Sequence, residues 1–251
     1  MTGAALMQGY LERLGLAAPP PASWQGLKLL VAQHLQNIPF ENLDVMAGLP
    51  GELTTAATLH KIVVRRRGGF CYELNEAFGA LLAHAGFSAR RIEARVWSEP
   101  KRKYGPPFDH LALVVSLPQG EFLTDVGFGD SNRTPLRFPE DSLTDVSGTY
   151  TLEQASAERW LLSRGDRPLY EMTLATQTLE AFNPMYRFHK TSPESGFSKG
   201  LICTRATQNG RITLSAERLT ITEDLQRREL VGPNQESALK QYFGIVREPS
   251  C

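Results

Sequence analysis

The apolar positions of this chain change period once, near Gly86. Upstream they recur every three to four residues, the spacing of helices buried along one face. Leu6, Tyr10, Leu11 and Leu14 form a first stripe that Gly15 closes, and a linker with three consecutive prolines follows over Ala17–Ala22. Ser23 offers an N-cap hydroxyl to a second helix carrying Leu27, Leu30, Val31, His34 and Leu35. That helix must stop before Pro39, because a following proline disfavours helical geometry at Ile38. Ile38-Pro39-Phe40-Glu41-Asn42-Leu43 then reads as a turn with an apolar anchor. A third helix is predicted over Thr55–Arg65, with Leu59, Ile62 and Val63 inward. A fourth starts at Cys71 and carries Leu74, Phe78, Leu81, Leu82 and Ala85.

Beyond Gly86 the period falls to two. Arg91–Trp97 alternates as a half-buried strand does, and the polar loop Ser98–Asp109, with three prolines, cannot continue it. His110–Leu117, the turn Pro118-Gln119-Gly120 and Glu121–Phe128 read as a hairpin. Further short strands are predicted at Tyr150–Gln154, Trp160–Ser163 and Leu169–Leu174, a series that suggests a small barrel or sandwich. Arg164-Gly165-Asp166 is a hairpin turn between two of them and not an adhesion tripeptide. From Leu179 the pattern breaks. A short helix is predicted over Phe182–His189, and Leu201–Thr207 and Arg211–Ser215 flank Asn209-Gly210, the preferred pair for a tight hairpin turn. Asp224–Leu230 and Gln235–Phe243 read as closing helices. Boundaries therefore fall near 86 and 190.

Composition narrows the function. Lysine plus arginine equals aspartate plus glutamate at 27 each, which argues against a nucleic-acid binder driven by bulk charge. No apolar run reaches membrane-spanning length, and Met1–Tyr10 lacks the basic start and apolar core of a signal peptide. Three cysteines, Cys71, Cys203 and Cys251, fit a reduced cytoplasmic setting and show neither a disulfide framework nor a zinc spacing. Cys251 is expected to be mobile as the last residue.

The candidate chemistry starts at Arg67-Gly68-Gly69-Phe70-Cys71. A thiol in the first helical turn faces unpaired N–H groups and the positive end of the dipole, an environment expected to favour the nucleophilic thiolate. Gly68 and Gly69 leave room for a close approach. If the hairpin turns near Pro118 and Gln119, residues whose numbers sum to about 235–237 face each other. His110 then lies opposite Asp125 or within two positions of it, giving Cys71, His110 and Asp125 as nucleophile, base and orienting carboxylate. Each residue has a plainer reading: a buried small apolar group, a structural histidine and a turn former. His34, His60 and His84 read as structural or solvent-facing, and His189 as a weaker site candidate. Arg65-Arg66-Arg67 reads as a solvated or dipole-complementing cluster, and Gly127-Phe128-Gly129 is too short for a dinucleotide fingerprint.

Taken in order, five stretches resemble the arylamine N-acetyltransferases of bacterial type: Tyr10–Leu14, Ile38–Leu43, Arg67–Asn75, His110–Val114 and Asp125–Gly129. Thr191–Phe197 and Tyr242–Ile245 add weaker support. The resemblance implies an α+β chain in three domains: a helical bundle over 1–86, a β-barrel over 87–190 and an α/β lid over 191–251. It implies a cysteine-protease-like triad of Cys71, His110 and Asp125, with Phe40 and Phe128 at the acceptor pocket. Phe70 and Gly129 are added as candidate substrate contacts, and Glu41 is expected to pair with Arg13. The implied activity is ping-pong acetyl transfer from acetyl-CoA, through an acetyl-cysteine, to an aromatic amine, hydrazine or N-hydroxyarylamine. No metal, nucleic acid or membrane is implied, and the chain is expected as a monomer or homodimer. It departs from the family pattern at Asp109, a carboxylate directly before the histidine. Rival readings are an acyl-thioester hydrolase or transglutaminase-like enzyme with the same triad, an amide synthase using carrier-bound acyl groups, and a non-enzymatic binding module.

Overall fold

The computed structural model describes residues 2–130, 132–224 and 226–247; Cys251 lies outside them. The N-terminal part is helical. Helix α1 spans Gly3–Arg13 and α2 spans Trp24–Asn37, the latter capped by the Ser23 hydroxyl, which accepts the Gly26 N–H at 3.2 Å. Ile38 is extended, as its proline neighbour demands. Strand β1 (Phe40–Glu41) and the short helix α3 (Leu43–Met46) follow. Helix α4 covers Thr55–Leu59 and widens directly into a π-helical turn over His60–Val64, so the element expected as one helix has two geometries. Helix α5 runs from Cys71 to His84 and is buried along most of its length.

Of the arginine run before α5, Arg65 and Arg66 are exposed as expected, and Arg67 is not. Arg67 is buried and pairs with Glu41 at 2.9 Å and Asp44 at 3.0 Å, while Lys61 binds Asp44 at 3.0 Å and Glu73 at 2.9 Å. Arg13 does not take Glu41; its guanidinium donates to the carbonyls of Ile62 and Arg67. Burial alone would raise the Asp44 carboxyl, but Lys61 and Arg67 hold it down at about 2. A folded-state value below the unfolded one gives stability that is complete above about pH 4 and lost as the pH falls through 2, a contribution of roughly 2 kcal/mol. In urea titrations at pH 5 and pH 2.5, the wild type should therefore lose about 1.5 kcal/mol more stability than Asp44→Asn, the remainder going at lower pH. Equal losses would show that the network does not shift Asp44.

The central part is one nine-stranded antiparallel sheet. Its strands are β2 (Ser88–Ser98), β3 (Lys103–Tyr104), β4 (His110–Leu117), β5 (Gly120–Thr124), β6 (Leu136–Arg137), β7 (Asp141–Asp145), β8 (Gly148–Ser156), β9 (Arg159–Arg164) and β10 (Arg167–Met172). The order is β6-β5-β4-β2-β10-β9-β8-β7, with β3 on β2. The two end strands are neighbours in sequence, so the sheet curls into a nearly closed barrel. Its interior holds Ile92, Ala112, Val114, Leu123, Tyr150, Leu162 and Tyr170. The alternate residues of β4, Leu111, Leu113 and Val115, join the helical core with Phe78 and Leu81. Both faces of β4 are thus covered, and the strand reads as a continuous apolar run.

Past β10, a 3₁₀ turn (Leu179–Phe182), helix α6 (Asn183–Thr191) and a second 3₁₀ turn (Gly196–Ser198) return to the helical part, where Phe182 and Tyr186 join its core. A five-stranded sheet closes the molecule, with β11 (Ile202–Ala206), β12 (Gly210–Ser215), β13 (Arg218–Glu223) and β14 (Gln226–Val231), and helix α7 (Gln235–Phe243) packs on it. Its order is β1-β11-β12-β13-β14. Three expectations change here. Ile38–Leu43 is not only a turn, because Phe40 and Glu41 pair with Thr204 and Cys203. Asp224–Leu230 is not a helix: its described residues from Gln226 form a wholly exposed edge strand on β13, where ladder pairing and not a buried face decides the conformation. Gly210 serves strand contact and not the turn, since a Cβ there would lie 1.7 Å from the Thr222 carbonyl oxygen. Among the described residues no helix is long and apolar enough to cross a membrane.

Candidate active site

Cys71 opens α5 with its side chain almost wholly enclosed, 3% of the residue being exposed. The helix start is built by backbone contact on two sides. On one side, the Phe40–Glu41 segment lies against Gly68 and Gly69: the Glu41 N–H donates to the Gly69 carbonyl at 2.8 Å, and a Cβ on Gly68 would sit 1.8 Å from the Pro39 oxygen. The space left by the two glycines is therefore filled by protein. Glu73 reaches back to the Phe70 N–H at 3.1 Å, satisfying one donor of the first turn. On the other side Gly127 touches the helix, where an added Cβ would lie 2.6 Å from Asn75 Nδ2 and 2.8 Å from Cys71 Cα. Gly127→Ala should push this loop off α5, destabilising the fold by about 1–3 kcal/mol. It should also lower kcat more than a surface substitution of equal cost; unaltered melting and turnover would refute the contact.

The loop carrying Gly127 leaves the β4–β5 hairpin. Leu117 pairs with Gly120 and Leu113 with Thr124, a register sum of 237, and the ladder ends there. Asp125 follows directly, so its carboxylate swings across to the head of β4. His110 Nε2 meets Asp125 Oδ2 at 2.7 Å, which leaves Nδ1 uncommitted, and Cys71 is near enough to the ring to help raise its pKa. Asp125 is saturated: Oδ1 accepts from Asn75 Nδ2 and the Gly127 N–H, both at 2.8 Å, and Oδ2 also accepts from Tyr170 Oη at 3.0 Å. Burial opposes a charged imidazole, but the charge and hydrogen bond of Asp125, with the contact to Cys71, push His110 up to about 10. Burial likewise opposes the Asp125 carboxylate, and His110, Asn75 and the Gly127 N–H hold its pKa below the usual range. The arrangement favours an imidazolium beside the sulfur.

Aromatic rings wall the site. Phe128 meets His110 edge-on at 5.5 Å and lies 5.2 Å from Tyr170. Gly129 has φ of +87°, and a Cβ there would stand 3.2 Å from the Phe40 ring, so Phe40 and the Phe128–Gly129 loop are in contact. Phe70 is 1% exposed and stacks on Tyr186 with centroids 5.4 Å apart. Phe197 bridges this layer, 6.0 Å from Phe40 and 5.3 Å from Phe70. A buried cysteine at a helix start, a saturated His–Asp pair and an apolar aromatic wall can carry acyl transfer through a thioester.

Comparison with known proteins places this geometry. A family model described as N-acetyltransferase matches residues 23–249. The chain is 34% identical over 235 residues to an arylamine N-acetyltransferase of Mycolicibacterium smegmatis, covering 85% of this chain and 81% of the relative. It belongs to the arylamine N-acetyltransferase family. Among solved structures, the arylamine N-acetyltransferase from Mycobacterium tuberculosis is similar with a TM-score of 0.87 at 31% identity, over 95% of this chain and 93% of that one. The Mycobacterium marinum arylamine N-acetyltransferase in complex with CoA gives a TM-score of 0.87 at 30% identity, over 95% and 92%.

Several residues around the site of this arylamine N-acetyltransferase family member escape a reading of the sequence. Asn75 stands one helical turn after Cys71 and joins the helix to the hairpin, giving Nδ2 to Leu111 O and Asp125 and accepting the Val126 N–H at 3.0 Å. Its signal was a polar residue on the apolar face of α5. Tyr170 comes from β10, which no local pattern ties to His110. Tyr72 donates to the carbonyls of Phe108 and Asp109 at 2.8 and 3.0 Å, fixing the approach to His110. Asp109 itself is engaged: Oδ1 lies 3.1 Å from His189 Nε2, and His189 Nδ1 lies 3.0 Å from Ser195 Oγ. His189 thus ties the turn carrying Phe197 to the strand carrying His110. On the far side, Arg211 pairs with Asp130 and donates to the Gly129 carbonyl, and Arg133 donates to carbonyls at Thr207, Gln208 and Gly210.

Proposed function

We propose that this chain is an acetyl-CoA-dependent arylamine N-acetyltransferase in which Cys71, His110 and Asp125 act as a triad. The observation that carries the reading is the saturated Asp125 carboxylate at His110 Nε2, which leaves Nδ1 to serve the nearby Cys71. The Cys71 thiolate attacks the acetyl carbonyl of the thioester, and N–H groups of the first turn of α5 stabilise the oxyanion. The bond to the coenzyme A sulfur breaks, and His110 gives that sulfur its proton. An arylamine then attacks the acetyl-cysteine, passes its proton to neutral His110, and leaves as the amide while the imidazolium and thiolate are restored. Both half-reactions exchange one leaving group for another, so the chemistry calls for no metal ion.

The acceptor lies between Phe40, Phe128 and Gly129, with Phe70 backing the wall through its stack on Tyr186. Similarity to the family whose M. marinum member is named in complex with CoA supports the donor. We keep the division into a helical bundle (1–86), a barrel (87–190) and a lid (191–251); three apolar clusters support three units, with one face of β4 and the Phe182–Tyr186 segment packed into the helical core. We place the protein in the cytoplasm as a monomer or homodimer, without nucleic-acid or membrane partners. Mixing the protein with acetyl-CoA and no acceptor should give one acetyl adduct by intact mass. Adding 5-aminosalicylate should discharge it to the acetylated amine. Discharge by water at the same rate would make the enzyme a hydrolase. Acylation only from carrier-bound thioesters would make it an amide synthase.

A further inference from the structure

A cavity lies behind the aromatic layer, and none of Cys71, His110 and Asp125 lines it. Its volume is about 590 Å³, and it opens between the Val45–Gly51 segment after α3 and one face of α6. Val45, Leu49, Pro50 and Pro193 give it apolar walls, and Tyr186 contributes to its inner surface. Lys190 lines it too, and the residue is only 6% exposed. Lysines this buried are almost always paired. Yet among the described residues no hydrogen bond or ion pair reaches the Lys190 ammonium.

The neighbouring charges explain why it stays free. Glu41, Asp44 and Glu73 are the carboxylates close enough to act on Lys190 through space. Lys61, Arg67 and Arg65 already hold them by ion pairs. Three carboxylates matched by three cations leave Lys190 in surplus. Burial pulls its pKa down, and the distant acids restore only part of that. Arg187 stands one turn earlier on α6, lines the same cavity, is exposed, and has no ion pair among the described residues. Gly51 presses on the inner surface, where a Cβ would lie 2.7 Å from Tyr186 Oη and 3.4 Å from Lys190 Nζ. A cation with a buried stem and no protein partner, at the lining of a groove with apolar walls, is what an anion with an apolar body would complete.

We propose that this groove binds a small organic anion, a phosphate monoester or carboxylate, with Lys190 Nζ as its charge partner, Arg187 beside it, and its apolar portion against Leu49, Pro50 and Pro193. The inference does not depend on the triad chemistry, and its test reads binding and not turnover. Phenyl phosphate titrated calorimetrically into the full chain should bind saturably at one site. Lys190→Met should weaken binding by at least about tenfold, the loss of one charge-assisted hydrogen bond. Gly51→Ala, which crowds the ammonium without removing it, should also weaken it. Lys190→Met keeps the length of the buried stem and breaks no protein contact of the ammonium, so its melting temperature should stay near that of the wild type. Two sources of the anion separate by competition. If CoA displaces phenyl phosphate and pantetheine does not, the donor's own phosphates occupy the groove; if phenyl phosphate binds beside CoA, a distinct anion does, and either result supports the site. Absence of saturable binding to the wild type, or equal binding to Lys190→Met, overturns it.

Discussion

Replacing Cys71 by alanine is expected to abolish both the acetyl adduct and turnover, with kcat falling by roughly 10⁵–10⁶-fold, as when a covalent nucleophile is lost from a coupled triad. The fold should survive, because the change removes one sulfur atom and leaves the helix start, Glu73 and the Gly127 contact in place. Cys203 cannot substitute. It lies wholly buried in β11, where burial pushes its thiol well above the ordinary range. Intact-mass spectrometry with acetyl-CoA, run beside the melting curve, separates the outcomes: an adduct that persists on a folded Cys71→Ala protein would move the nucleophile elsewhere.

Asp125→Asn is expected to lower kcat by about 10⁴-fold, the scale reached when a triad histidine is held in the wrong tautomer. Asp125 accepts from four donors: His110, Asn75, Tyr170 and the Gly127 N–H. Asparagine has one oxygen and an amide NH₂. With the oxygen kept by Asn75 and Gly127, the NH₂ faces His110 Nε2 and requires that nitrogen to be an acceptor. The ring proton then sits on Nδ1, toward Cys71, and the base is lost. The His110 titration should move with it. Its pKa of about 10 rests on the charge and hydrogen bond of Asp125, so in the variant the imidazolium should deprotonate near or below the ordinary value of about 6.5. Heteronuclear NMR of the ring nitrogens checks the shift. A variant within tenfold of wild type, or a histidine that still titrates near 10, would show that Asp125 does not set the state of His110.

Much of this was legible because the signals are local. Ser23 and Pro39 mark the ends of one helix whatever surrounds it, Cys71 stands at the first turn of another, and the Pro118–Gly120 turn fixes the register that delivers Asp125 to His110. The rest depends on approaches between distant segments. Arg67 looks like part of a solvated run until Glu41, 26 residues upstream, folds against it. Gly68, Gly69 and Gly127 advertise close contact but not with what, and the partners are backbone and side chains of the protein itself. Tyr170 reaches Asp125 only because β10 lies beside β2. The strand at Gln226–Val231 has no buried face, so nothing in its pattern could select strand over helix; the free edge of β13 does.

The pairing of β1 with β11 has a consequence for the order in which the molecule comes into being. Asn42 bonds to Phe197, Gly200 and Ile202, partners 155, 158 and 160 residues further along the chain. A ribosome making this chain releases Cys71, His110 and Asp125 first, and supplies β11, the strand that flanks Phe40, only after the whole barrel. Until then the edge of β1 and the rings around the thiol stand open to water and to other nascent chains. The enclosure is thus completed only after the barrel, and a chain stopped short of residue 197 would carry the three residues of the proposed triad without the wall that Phe197 and β11 build.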